Sequence, residues 1–391
     1  EISTRKAIKI NPYLADSYYN LGNILRDLGN LQEAEICQRK AIEINPEFAL
    51  AYFNLGNILN ALGRLQEAEI FQRKAIKVNP NFAKAYSNLG SILSDLDKLK
   101  DAKFFTSKAI QLNPDFAEAH YNLGIILKNL GKLKEAEFSL QKAINIKASS
   151  DAYFALASCL YEKKEFNYAL ENLFKAREII GDESLSKCIE AAILITNSAK
   201  NISLNSNGLM KGSNFFNKEI NRLVLSREVE DKLVSYLYTI KTRQLDNTRD
   251  TRYGAGVCSD FNLFDDTSSN ISKLSNDIKE ICKNELGLKK IFFCDSFINI
   301  FVSGSGQPPH CHLTLRDKNF NLASKKYSLV YYLEIGDQDC EIPGILKLHE
   351  PDEDILPEKG MIIIIGAERF HSVSYCGKKK RLMLGVNFYG I

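Results

Sequence analysis

An Asn-Pro pair returns at a fixed step of 34 residues, at Asn11-Pro12, Asn45-Pro46, Asn79-Pro80 and Asn113-Pro114. No other feature of the 391-residue chain restricts its fold as much. A period of this length means stacked copies of one supersecondary unit rather than a single globular core. Leu-Gly keeps the same step at Leu21-Gly22, Leu55-Gly56, Leu89-Gly90 and Leu123-Gly124. So do the columns Ala34, Ala68, Ala102, Ala136 and Ala7, Ala41, Ala75, Ala109, Ala143. Each Pro stops one helix and suits the first turn of the next. The small residues belong where two helices cross closely. Gly29, Gly63 and Gly131 are expected to end the first helix of a pair in a left-handed cap. Asp97 stands there in the third unit, and Asp tolerates that conformation better than most residues.

On these columns, residues 1–182 resemble the tetratricopeptide repeat family, whose helix pairs stack into a superhelix. A fifth pair, Asp151 to Ala176, is degenerate: Leu156-Ala157 replaces Leu-Gly and Lys147-Ala148 replaces Asn-Pro. Terminal units of such arrays are often atypical. The resemblance implies a protein or peptide partner on the concave face. Asn20, Asn54, Asn88 and Asn122 form a column, one per repeat, and stacked amides can hydrogen-bond an extended peptide backbone without reading its sequence. The column is similar to the asparagine ladder of the O-linked N-acetylglucosamine transferases. His120 reads as a packing or surface residue.

Composition narrows the class. A hydrophobic share of 45%, a charged share of 25% and a net charge of +3 fit a globular protein and give no argument for nucleic acid. No apolar run reaches the ~18 residues that span a bilayer. Nine scattered cysteines without a CxxC favour reduced thiols and a cytoplasmic setting. Glu1 falls inside a predicted helix, which is compatible with further repeats or a leader upstream.

The 34-residue period fades after residue 182. Cys188 to Lys200 reads as a helix, and Asn201 to Ser213, rich in Ser, Asn and Gly, as a linker. Residues 183–225 therefore read as helix and linker, and 226–391 as a second domain. Ser226 to Thr242 and Ser269 to Leu286 are predicted helices. The Gly-containing loop Thr251 to Gly256 lacks the strand-to-helix context of a dinucleotide site. From Lys290 the pattern turns to short strands: Ile291–Val302, Lys326–Leu333, Gly344–Leu348, Gly360–Ile365, His371–Tyr375 and Arg381–Tyr389. Six strands without intervening helices predict a β-sandwich or jelly roll. Lys378-Lys379-Lys380 reads as a solvated turn between the last two.

The chain holds five histidines, and three fall in one pattern. His310 and His312 are two residues apart near a strand end, where i and i+2 project to one face. His371 follows a very apolar strand. Arg381 comes ten residues later, across a Gly377 turn that can return its side chain to the same cavity. Residues 226–391 resemble the iron(II)- and 2-oxoglutarate-dependent dioxygenases, particularly the prolyl-hydroxylase branch, on His310-Cys311-His312, Ser328 to Leu333, Gly344-Ile345-Leu346, Pro357 to Gly360, and His371-Ser372-Val373 to Arg381. The resemblance implies a double-stranded β-helix. It implies iron(II) on His310, His312 and His371, with 2-oxoglutarate as co-substrate, its far carboxylate on Arg381 and Tyr332, and O2 as oxidant.

One position departs from the family: His312 stands where it has Asp, so three imidazoles replace two imidazoles and a carboxylate. A second register makes His312 the first ligand, with Thr314 at the Asp position. Two alternatives accompany the oxygenase reading. One is a non-catalytic repeat scaffold for protein–protein interaction with a degenerate jelly roll. The other is a three-His oxygenase that does not use 2-oxoglutarate. His349, before the acidic loop Asp352-Glu353-Asp354, reads as a decoy.

Overall fold

The computed structural model describes residues 1–180, 183–205, 222–244 and 256–391. The chain divides into two compact units, Glu1–Ile179 and Ile180–Ile391.

In the first unit, helix pairs follow the period. Ala15–Asp27 pairs with Leu31–Ile44, Ala49–Ala61 with Leu65–Val78, Ala83–Asp95 with Leu99–Leu112, and Ala117–Asn129 with Leu133–Ile146. The degenerate fifth pair is Ser150–Glu162 with Phe166–Glu178. The turns have their expected backbone: Gly29, Gly63 and Gly131 lie at φ +81°, +74° and +72°, and Asp97 at +58°. The recurring glycine of each first helix packs on one side chain of its partner helix. A Cβ on Gly22, Gly56, Gly90 or Gly124 would meet Gln38, Gln72, Thr106 or Leu140.

The second unit is built on two antiparallel sheets. In chain order the strands are β1 (Leu223–Ser226), β2 (Arg243–Gln244), β3 (Val257–Cys258), β4 (Ile291–Phe301), β5 (Ser305–His310), β6 (Lys326–Glu334), β7 (Pro343–Leu348), β8 (Glu353–Ile355), β9 (Met361–Gly366), β10 (His371–Tyr375) and β11 (Arg381–Gly390). The larger sheet runs β1-β9-β6-β11-β4-β3-β2 and the smaller β5-β10-β7-β8. Among the described residues the strands form two open sheets and no closed barrel.

β11 is buried at every position because it is central and covered on both faces. Its even-numbered residues Leu382, Leu384, Val386 and Phe388 join a core with the helices Asp231–Leu237 and Ser269–Leu286. Met383 instead meets Leu346, Val373 and Tyr375 of the smaller sheet. Strand parity therefore points Arg381, Met383, Gly385 and Asn387 between the sheets. The helix Glu183–Asn205 belongs to this unit, packs on β4, and hydrogen-bonds Tyr389 Oη through Cys188 Sγ at 2.9 Å.

Two expectations change. The helix expected over Ser226 to Thr242 is only Asp231–Leu237; Ser226 ends β1, which pairs with β9. Arg227 keeps the chain extended there by binding Glu230 and Asp277. Of the expected linker, Asn201 to Asn205 end a helix, and residues 206–213 lie outside the described residues, as do residues 251–255 of the Gly-containing loop.

Candidate metal centre

β5 and β10 are neighbours, and their register sets His310 directly opposite His371. A register shift between His371 and Val373 re-aims the strand at this point. His312 lies just beyond β5; its N–H donates to the carbonyl of Ala367 at 2.9 Å, which draws it toward the start of β10. The three imidazoles therefore converge. One ligand atom of each lies within 4.8 Å of the others, all three residues are buried, and the Nε2 atoms of His312 and His371 are 3.2 Å apart.

Local main chain fixes two of the rings. His310 Nδ1 is 2.9 Å from the carbonyl of Pro308, and His371 Nδ1 is 3.2 Å from that of Arg369. In both cases the acceptor is two residues upstream. A proton on Nδ1 satisfies each carbonyl and leaves the Nε2 lone pair facing the cluster, the arrangement a ligating histidine needs. Burial, and next the charge of His310, push the His371 imidazole down to about 3, so it is neutral at pH 7. His312 Nδ1 faces Asn387 Nδ2 at 3.4 Å, and the same amide donates to Asp295 at 3.2 Å. Three buried imidazoles that offer ligand atoms within 4.8 Å of one another could together hold a first-row divalent cation.

A cavity between the sheets runs from these histidines past Leu346, Val373 and Met383 to Tyr332. Asn299 also lines it, and its buried Oδ1 has no hydrogen-bond partner among the described residues. Arg381 lies beyond Tyr332 and is not among the lining residues. It is fully buried, with its guanidinium 6.0 Å from the Tyr332 ring and 4.7 Å from the Tyr375 ring. Nε donates to the carbonyl of Ile335 at 3.1 Å, and Nη1 and Nη2 donate to those of Gly344 and Pro343 at 2.5 Å each. Among the described residues no carboxylate pairs with it. Burial pulls it below its ordinary value, and burial pushes the Tyr332 hydroxyl up.

A second buried polar knot holds the loop that follows His312. Asp317, fully buried, accepts from Thr314 N at 2.6 Å, Thr314 Oγ1 at 2.8 Å, Lys326 Nζ at 3.1 Å and Tyr389 Oη. Asn299, Asn387 and Asp317 were not singled out from the sequence. Strand parity with Arg381 places Asn387, whereas nothing local marked Asp317.

The other candidates resolve simply. His349 is half-buried, bonds Ser372 Oγ at 2.9 Å and stays outside the cluster. In the acidic loop Glu353 pairs with Arg222 and Asp354 lies near Lys347. His120 bonds the carbonyl of Pro114. Lys378, Lys379 and Lys380 are exposed between β10 and β11.

The asparagine column is in place but partly engaged. Asn54 Nδ2 donates to Asn23 Oδ1 and Asn88 Nδ2 to Asn57 Oδ1, both at 2.7 Å, so each amide ties its repeat to the preceding one. Gln38 and Gln72 donate to the same two oxygens. In the next unit Ser91 and Thr106 occupy the corresponding places, and Asn122 turns to Ser87 Oγ at 3.1 Å. Asn20 is exposed.

The N-terminal unit is made of tetratricopeptide repeats: that family matches residues 13–81, 83–116 and 105–138. No curated protein matches the chain. Solved structures similar to it include YrrB, described as a TPR protein with an unusual peptide-binding site, at 29% identity over 47% of this chain and 95% of that one, TM-score 0.38. TTC0263, a TPR protein of Thermus thermophilus, is 23% identical over 46% of this chain and all 100% of its own, TM-score 0.43. PilF of Pseudomonas aeruginosa is 22% identical over 49% and 91%, TM-score 0.42. The repeats are consistent with a protein-binding scaffold. Among the described residues no helix is long and apolar enough to cross a membrane.

Proposed function

We propose that the second unit is an iron(II)- and 2-oxoglutarate-dependent oxygenase of the hydroxylase type, and that the repeats bind its polypeptide substrate. One observation carries the reading. The cavity between the sheets holds three buried imidazoles and reaches Tyr332, and behind Tyr332, outside the lining, is a buried guanidinium with no acidic partner among the described residues. A buried cation is stabilised by an anion, and a dicarboxylate with a 2-oxo group suits both ends. The reading takes the two sheets as walls of a double-stranded β-helix.

His310, His312 and His371 would hold the metal, and Arg381 with Tyr332 the distal carboxylate. Iron with 2-oxoglutarate and O2 supplies the oxidising power to hydroxylate a C–H bond, yielding succinate and carbon dioxide. The protein keeps the His371 imidazole unprotonated by burial, fixes two of the rings through the carbonyls of Pro308 and Arg369, and excludes water with Leu346, Val373 and Met383. Arg381 has rigid forked donors already ordered by main-chain carbonyls, and the carboxylate would take over part of that set.

The second reading is a non-catalytic repeat scaffold. It is favoured by the family matches, which fall in the repeats, and by His312 in place of a carboxylate. Anaerobic loading with iron(II), then incubation with 2-oxoglutarate and O2, separates the two. One iron per chain and succinate formation support the oxygenase. A chain that binds peptides, retains no metal and forms no succinate is the scaffold.

A further inference from the structure

The connection between β6 and β7 carries a thiol that shares its main-chain partner, Ile342, with a second one. Of the nine cysteines five are buried, and among the four partly exposed ones Cys340 and Cys376 both place their sulfurs against the main chain of Ile342. Both are tied to one residue. Ile342 N–H donates to Cys376 Sγ at 3.2 Å, the Cys340 thiol donates to the Ile342 carbonyl at 3.3 Å, and Cys376 N–H donates to that carbonyl at 3.1 Å. Main-chain bonds therefore hold both sulfurs beside Ile342, which is itself exposed. The next two residues, Pro343 and Gly344, supply two of the three carbonyls that seat Arg381.

We propose that Cys340 and Cys376 form a redox-responsive pair that closes to a disulfide under peroxide and fixes the loop that seats Arg381. Hydrogen peroxide is the oxidant. One thiolate attacks a peroxide oxygen, the O–O bond breaks, and a sulfenic acid and one water result once the released hydroxide is protonated. The second thiol attacks the sulfenic sulfur, the S–O bond breaks, the S–S bond forms, and a second water leaves. The two sulfurs together lose two electrons, which reduce the peroxide. The linkage closes a loop across β7, so residues 340 to 344 lose freedom to shift. The guanidinium is then held on the carbonyls of Pro343 and Gly344 and is less able to turn to another acceptor. The disulfide stands apart from the oxygenase reading; its effect on co-substrate binding rests on that reading.

Peptide mapping without reductant, on the full chain treated with one to two equivalents of peroxide, tests the pair. The expected product is a Cys340–Cys376 cross-link, reversed by dithiothreitol and absent from Cys376→Ser. Amide exchange at Ile342 and Cys376 should slow at least tenfold in the oxidised chain. Linkage through other cysteines, separate sulfinic acids at the two positions, or cross-linking with unchanged exchange would overturn the proposal. Oxidation should also weaken 2-oxoglutarate binding to the iron(II)-loaded chain at least fivefold. A cross-link with unchanged affinity sinks the coupling to Arg381. If the reduced chain binds no 2-oxoglutarate either, the oxygenase reading fails while the cross-link and exchange results still decide the disulfide.

Discussion

Gly344→Ala should be among the most damaging single-methyl changes in the protein. Gly344 lies at φ +79°, and a Cβ there would sit 2.0 Å from Arg381 Nη1 and 2.4 Å from its Cζ. Left-handed backbone costs an alanine about 1–2 kcal/mol. The guanidinium cannot move aside without leaving the carbonyls of Gly344 and Pro343, and each hydrogen bond from a charged donor contributes ~1.5–3 kcal/mol. The sum is about 4–8 kcal/mol, a large part of the stability of an ordinary domain. Urea unfolding followed by far-UV dichroism and tyrosine fluorescence reads it, since the chain has 17 Tyr and no Trp. The physical cause is isolated by a cycle with Arg381→Leu. Without the guanidinium the alanine meets no clash, and Gly344→Ala should cost only the backbone share of about 1–2 kcal/mol. Additivity of the two substitutions within ~0.5 kcal/mol would refute the argument that Gly344 exists to admit Arg381.

Acid should weaken the second unit before it weakens most proteins. The folded His371 imidazole is held near 3 against an ordinary 6.5, so the unfolded chain binds the proton first. Its stabilising contribution is complete above pH 6.5 and falls as pH drops from there toward 3, by about 5 kcal/mol. Thermal unfolding between pH 7 and 4 should show that loss, and His371→Gln should flatten it. Asp317→Ala strands the Lys326 ammonium and the Tyr389 hydroxyl in a buried site and should cost about 3–5 kcal/mol in denaturant unfolding, with Asp317→Asn milder. In the repeats, Gly124→Ala presses a methyl to 2.5 Å from Leu140 Cγ and should cost ~1–3 kcal/mol by calorimetry, with partial recovery on adding Leu140→Ala.

The sequence made the repeats readable because a period repeats its evidence: the Asn-Pro, Leu-Gly and Ala columns agree through four successive units. It showed where the asparagines stand but not how they are used. The informative signal was the second column, Asn23 and Asn57, with Gln38 and Gln72 one helix on, whose side chains absorb the Asn54 and Asn88 amides. In the second half most strands were legible from apolar runs. β5 was the hardest to read, because Ser305 to His310 contains two prolines, and such a segment can pair only as an edge, which is where it lies. His371 reaches the cluster through the long-range pairing of β5 with β10, which no local signal sets, whereas the nearness of His310 to His312 does follow from their spacing. The seating of Arg381 does not, because its partners are main-chain carbonyls, and every residue has one.

The amide tie between successive repeats has a consequence for how such a chain changes length. The bond from Asn54 to Asn23 and the bond from Asn88 to Asn57 are the same bond one unit later, each spanning 31 residues at 2.7 Å. A duplicated or deleted segment of one full period therefore restores every tie at its new junction, whereas any other length leaves an amide facing the wrong side chain. Growth of the array is thus quantised: whole units are added or lost at little cost, and the third unit, where Ser91 and Thr106 break the pattern, is the joint at which that exchange is least faithful.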